Sequence, residues 1–164
     1  MDTLLQLKTE LEQEYNITKK FFDLFPGDKT GYAPHEKSMK LLHLAQHIAE
    51  IFAWPAGILT VDYMDIAETA PRKGITEKSD LLSMMEENYK RSIDELDSST
   101  EDDLDKDWEL KMKGTTISAW SKYGAIRHSL NQITHHRAQL GVYYRLLNIK
   151  LPGSYGPTAD NHGF

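Results

Sequence analysis

The sequence predicts an all-α fold, a single four-helix bundle over residues 1–164. Three observations predict it. The hydrophobic period is helical almost throughout. Four long amphipathic segments are separated by turn-forming or irregular stretches. The length of 164 residues suits one domain with a real core and gives no reason to expect two.

The first helix carries Leu4, Leu5, Leu7, Leu11, Ile17, Phe21, Phe22 and Leu24 and is stopped by PGDKTG. Pro34 precedes a second helix over roughly residues 35–58, with Leu41, Leu44, Ile48 and Ile51 on one stripe and Pro55 set to kink or end it. DYMDIAETAPRKGIT is a connector without clear period. Thr76 is expected to cap a third helix bearing Leu81, Leu82, Met85, Tyr89 and Ile93. DSSTEDDLDKD reads as an acidic, solvated loop, since it lacks the glycine and final glutamate of an EF-hand. WELKMKGTTISAW alternates partly around a glycine and fits either a short hairpin or an irregular loop. The fourth helix runs over about residues 121–148, and the Pro/Gly-rich tail after it has no regular period. Trp54, Trp108 and Trp120 are most simply core or interface aromatics.

Composition excludes several functions. Cysteine is absent, which removes disulfides, thiolate ligands and a cysteine nucleophile. A net charge of -6 opposes nucleic-acid binding, because phosphate neutralisation needs a basic face. The N-terminal stretch has the pattern of no signal peptide, and no run approaches the roughly 18 apolar residues of a membrane span. The expected setting is the cytoplasm, with neither nucleic acid nor membrane as partner. There is no phosphate loop, no G-x-S-x-G elbow and no H-E-x-x-H.

What chemistry there is lies in the histidines. In NQITHHRAQLGVYYR (131–145) two histidines are adjacent, so on a helix they point about 100° apart. With His136 as reference, Ala125, Ser129, Leu140, Tyr143 and Leu147 fall within about 40° of it, and Arg145 and Thr134 point nearly opposite. His136 thus sits in the middle of the apolar face and His135 on its flank, near an edge shared with His128 and Leu146. Gln132, one turn earlier, shares the face of His136. On the second helix His47 lies among Leu44, Ile48 and Ile51 and faces inward. His43 shares a solvated side with Glu36 and Glu50. Two buried imidazoles from different helices need partners. Backbone or hydroxyl groups supply them on one reading, and a shared divalent metal on the other. No general acid or base stands convincingly beside them, Glu50 being expected to face solvent.

EKSMKLLHLAQHIAEIFAW, RHSLNQITHHRAQLGVYYRLL and LPGSYGPTAD, in this order along the chain, resemble the DinB/YfiT-like superfamily. This is the damage-inducible family of that name, unrelated to the DNA polymerase that shares it. The resemblance implies a bundle with an unusual handedness of helix connection. It also implies nickel or zinc held by three histidines, one from the second helix and two from an i, i+4 pair in the last. His47 and His136 match the first and last of these. Gln132 stands where the commoner pattern has histidine, so the implied metal set is His47, Gln132 and His136. Arg137, beside it, reads as a packing or ion-pairing residue. Characterised relatives include bacillithiol-using S-transferases, mycothiol-dependent isomerases and metal-dependent hydrolases. The implied function is therefore a metal-dependent thiol S-transferase or hydrolase acting on a small molecule, as a homodimer. The alternative is a non-catalytic ligand-binding or structural bundle whose metal site has degenerated at Gln132.

Overall fold

A computed structural model describes residues 2–68, 74–75 and 77–162. Most of them are helical. Helix α1 spans Thr3–Asp23, and its first turn is capped by Asp2, whose carboxylate accepts the Leu5 N–H at 2.8 Å. Leu4, Leu7, Leu11, Ile17, Phe21 and Phe22 are buried as their spacing requires, whereas Leu5 and Leu24 lie on the outside. Helices α4 (Lys78–Ser98) and α6 (Lys122–Leu146) each pack against α1 and against the second helical segment, so that one apolar core runs between them. Leu81, Met85 and Leu96 of α4 are fully inside, and Tyr89 stacks on Tyr15 of α1 with ring centroids 4.3 Å apart. Thr76, the expected cap of α4, lies outside the described residues.

The second helix differs from expectation in extent and continuity. Residues 35–40 form turns, and the helix begins only at α2 (Leu41–Ile51), followed by a separate α3 (Trp54–Thr60). Pro55 causes the break: it has no N–H for the Ile51 carbonyl, and its ring crowds that carbonyl. One rung further on, the Phe52 carbonyl and the Ala56 N–H are also separated. The Ser92 hydroxyl of α4 is inserted between them, accepting from Ala56 N–H at 3.2 Å and donating to Phe52 O at 2.6 Å. One turn earlier on α4, the Asn88 amide donates to the Ala49 carbonyl at 2.9 Å. The kink is thus satisfied from outside by two side chains four residues apart.

The expectation of an all-α fold is corrected by a three-stranded sheet. Strands β2 (Asp107–Met112) and β3 (Thr115–Ser121) form the antiparallel hairpin that the partial alternation allowed. Lys113 and Gly114 make its two-residue turn, both at positive φ (51° and 78°), which matches the twist of the paired strands. The third strand, β1 (Tyr63–Asp65), comes from the connector that has no period and pairs parallel to β2. Asp65 fastens it. Its carboxylate accepts N–H groups of Gly114 at 2.6 Å, Ala67 at 2.9 Å and Lys113 at 3.0 Å. These bonds, that from Gly114 foremost, hold its carboxyl below the usual range. The acidic stretch also departs from a plain loop: Thr100 and Asp103 form a capping box on a one-turn helix α5 (Glu101–Leu104).

Among the described residues no helix is long and apolar enough to cross a membrane. Ser92→Ala would leave the Phe52 carbonyl and Ala56 N–H buried without their bridge. We expect it to cost about 1–3 kcal/mol in urea unfolding, against little change for an exposed serine such as Ser98.

Candidate functional site

Helix α6 opens with Ser121, whose hydroxyl accepts the Gly124 N–H at 3.2 Å, and it runs 25 residues without a break. Its buried positions include Ala125, Ser129, Ile133, His136, Leu140 and Tyr143, the face on which the helical wheel places His136. His136 is 8% exposed. His47 arrives on α2, partly buried, and the two imidazoles meet edge to face with centroids 4.7 Å apart. Trp54, the first residue after the proline-induced break, closes the far side of His47 at 6.2 Å.

The His136 ring is oriented through Nδ1. His136 Nδ1 lies 2.9 Å from Gln139 Oε1, and since an amide oxygen only accepts, Nδ1 carries the proton. The Nε2 lone pair is left as the basic atom. His47 Nδ1 lies 3.8 Å from Glu50 Oε2. Glu50 does not project freely into solvent as its position suggested. It is partly buried, and the Gln46 amide donates to its other oxygen at 3.1 Å. Burial pushes the His136 pKa down, the Gln139 hydrogen bond opposes this, and the neighbouring His47 and His135 add to the lowering. Its imidazole is therefore neutral at pH 7, the form that ligates metals.

Gln132 is partly buried one turn before His136. Its Nε2 lies 3.4 Å from Nε2 of His128. His43 is exposed, as expected. His135 is exposed as well, but its ring contacts that of His136 with centroids 4.9 Å apart, closer to the pair than a position on the flank implies. Among the described residues no three His, Cys, Asp or Glu side chains form a group able to hold a metal ion. Of the three expected ligands, the structure brings together the imidazoles of His47 and His136, while Gln132 has its contact with His128. Imidazole nitrogen is the donor type that zinc and nickel take, and two such rings are in contact here.

Arg137 faces the other way, into α1. Arg137 is 2% exposed, and its guanidinium pairs with Glu14, also buried, at 2.5 Å. It donates further to Thr18 Oγ1 at 3.0 Å and to the Tyr155 hydroxyl at 2.6 Å, and that hydroxyl donates to Glu14 Oε1 at 2.5 Å. Sequence reading missed Glu14, although a signal was present. It falls on the apolar stripe of α1, three residues after Leu11 and three before Ile17.

Removing one partner of this pair strands the other charge in the core. Arg137→Ala is expected to cost about 3–5 kcal/mol in equilibrium denaturation, and replacing the pair by Arg137→Met with Glu14→Leu to recover most of it.

The DinB family model matches residues 1–161. Among curated proteins, none matches the chain. A DinB-like protein of Bacillus subtilis superposes with a TM-score of 0.72 at 18% identity, covering 91% of this chain and 97% of its own. A DinB-like protein of Bacillus cereus gives a TM-score of 0.69, also at 18% identity, covering 94% and 97%. At such identity the two structures speak for the fold alone. With its sequence matched almost end to end and its fold shared, the chain belongs to the DinB family.

Proposed function

We propose that this protein is a divalent-metal binder built on a DinB-type four-helix bundle, with α1, α2–α3, α4 and α6 as its four members. Nε2 of His47, Nε2 of His136 and the amide oxygen of Gln132 would hold nickel or zinc. The observation that carries the reading is the contact between two imidazoles from different helices, 4.7 Å apart, one of them with Nδ1 hydrogen-bonded to Gln139. A carboxylate or amide behind a ligating histidine fixes its tautomer and raises its basicity. Glu50 and Gln139 have these positions.

A metal with open coordination positions lowers the pKa of a bound thiol or water. The residues of this chain would hold the ion and shelter one side with Trp54. The reading therefore carries a small-molecule substrate, either a low-molecular-weight thiol with its acceptor or a hydrolysable compound. A cytoplasmic homodimer goes with it. A second reading, a non-catalytic bundle with a degenerate site, draws on one observation: the amide of Gln132 already has a partner in His128.

Metal analysis of untagged protein separates the two. Nickel or zinc should co-purify with the parent and with His43→Ala and His135→Ala, and be lost from His47→Ala and His136→Ala. Loss in His135→Ala with retention in His136→Ala would reverse the assignment of the α6 ligand. A further test bears on Gln132, because an amide oxygen is a weaker ligand than imidazole for borderline metals. Gln132→His should bind zinc or nickel clearly more tightly in calorimetric titration. Equal affinity would remove position 132 from the site, and no binding by either protein would leave the degenerate bundle.

A further inference from the structure

After α6 the tail folds into a closed loop over residues 151–160. The two ends of the loop are tied together: Thr158 Oγ1 donates to the Leu151 carbonyl at 3.0 Å, and the Leu151 N–H donates to Asp160 Oδ2, also at 3.0 Å. Its tip is tied separately, through the Tyr155 hydroxyl to Arg137 and Glu14. A surface loop with closed ends is an Ω-loop, a form that frequently carries function.

The loop does not fill the space between itself and α6. A cleft of about 450 Å³ remains there, a volume within the range of small-molecule sites, roughly 300–1,000 Å³. Phe21, Ala138, Gly141, Val142, Leu151 and Pro152 form its apolar walls. Gly141 is the informative one. It lies inside a 25-residue helix, where glycine is the poorest choice after proline. Packing does not demand it: a Cβ at this position would lie 3.5 Å from Phe21 Cε1 and 4.0 Å from Leu151 Cδ1, ordinary contacts that an alanine would make. Glycine leaves that part of the wall open. The polar lining has one sign of charge, with two guanidiniums and no acidic side chain, in a protein whose net charge is -6. Arg137 is buried against Glu14, but the Arg145 side chain is 47% exposed. Among the described residues its single anionic partner is Asp160, with Nη2 to Oδ2 at 2.6 Å. A guanidinium has five N–H donors in a fork that matches a carboxylate, so one oxygen at Nη2 does not saturate it.

We propose that the cleft beneath the tail loop binds a small carboxylic acid with an apolar body, its carboxylate on Arg145 and its apolar part against Gly141. Asp160 takes the same guanidinium from the tail and so acts as the resident competitor. The site stands independently of the histidine pair and of any metal there.

The test uses octanoate as the probe and octan-1-ol as its uncharged control, titrated calorimetrically and followed by amide NMR. Octanoate should bind saturably and shift the amide signals of Gly141, Val142 and Leu151. Octan-1-ol should bind the parent about tenfold more weakly or worse, and octanoate should lose as much in Arg145→Gln, the usual worth of a hydrogen bond to a charged group. Asp160→Asn, which removes the competing carboxylate, should tighten octanoate binding. Gly141→Leu places a side chain in the cleft and should abolish binding. Ala138→Leu, at an exposed helical position on the cleft wall, should weaken it and covers the case of a poorly folded Gly141→Leu. Absence of saturable octanoate binding by both the parent and Asp160→Asn overturns the proposal. So does equal affinity for the acid and the alcohol, or unchanged octanoate binding in Arg145→Gln or in both leucine variants.

Discussion

The ion pair between Arg137 and Glu14 sets the rotation of α6, and the site follows from that rotation. A guanidinium in the core without its carboxylate would be destabilising by several kcal/mol, so α6 has one low-energy phase, the one that lays Arg137 on α1. Neighbouring residues on a helix diverge by about 100°, so fixing residue 137 against α1 turns residue 136 toward α2. Thr18 and Tyr155 take guanidinium hydrogens, the Tyr155 hydroxyl closes the loop to Glu14 Oε1, and Glu14 Oε2 has the ion pair with Arg137 in place of a hydrogen bond. Tyr155 belongs to the tail. The same network therefore holds the tail on α1 and α6, with help from Arg145, which pairs with Asp160 at 2.6 Å.

A second constraint acts on the partner helix. Pro55 forbids a continuous helix, and the resulting break is held open in one shape by Ser92 and Asn88 of α4. Trp54, at the start of α3, reaches the far side of His47 because of that break. At the other end of the same segment the Leu59 carbonyl accepts from Lys122 Nζ at 3.0 Å, which ties the end of α3 to the start of α6. The distance between the two histidine-bearing helices is thus governed by backbone groups that must be satisfied, as much as by apolar packing.

Much of this was legible in the residues. The four amphipathic stretches, the inward direction of His47 and His136, and the outward direction of His43 follow from the 3.6-residue period alone. Other features left little trace. Strand β1 is three residues long and pairs with a partner more than 40 positions away, so no local alternation marks it. The start of α2 at Leu41 is set by tertiary bonding, the Leu41 N–H going to the Tyr32 carbonyl at 2.7 Å. Glu50 looks solvent-facing on a wheel, yet Gln46 draws its carboxylate back toward His47. Side-chain reach of one turn along a helix defeats a reading based on Cα direction alone.

That reach also explains how the two contacting imidazoles are surrounded. Each has a polar neighbour within one turn of its own helix: Glu50 three residues after His47, at 3.8 Å, and Gln139 three after His136, at 2.9 Å. Donor orientation is therefore a local property, encoded by spacing and formed as soon as the helix forms. Convergence is the non-local property, and it depends on two contacts well away from the imidazoles, the Arg137–Glu14 pair and the Ser92 bridge. A substitution at the local positions would alter which atoms face the centre while the helices stay in place. One at Glu14 or Ser92 would move the helices while each donor keeps its partner. The site and the bundle are thus separable in their determinants although they share α6.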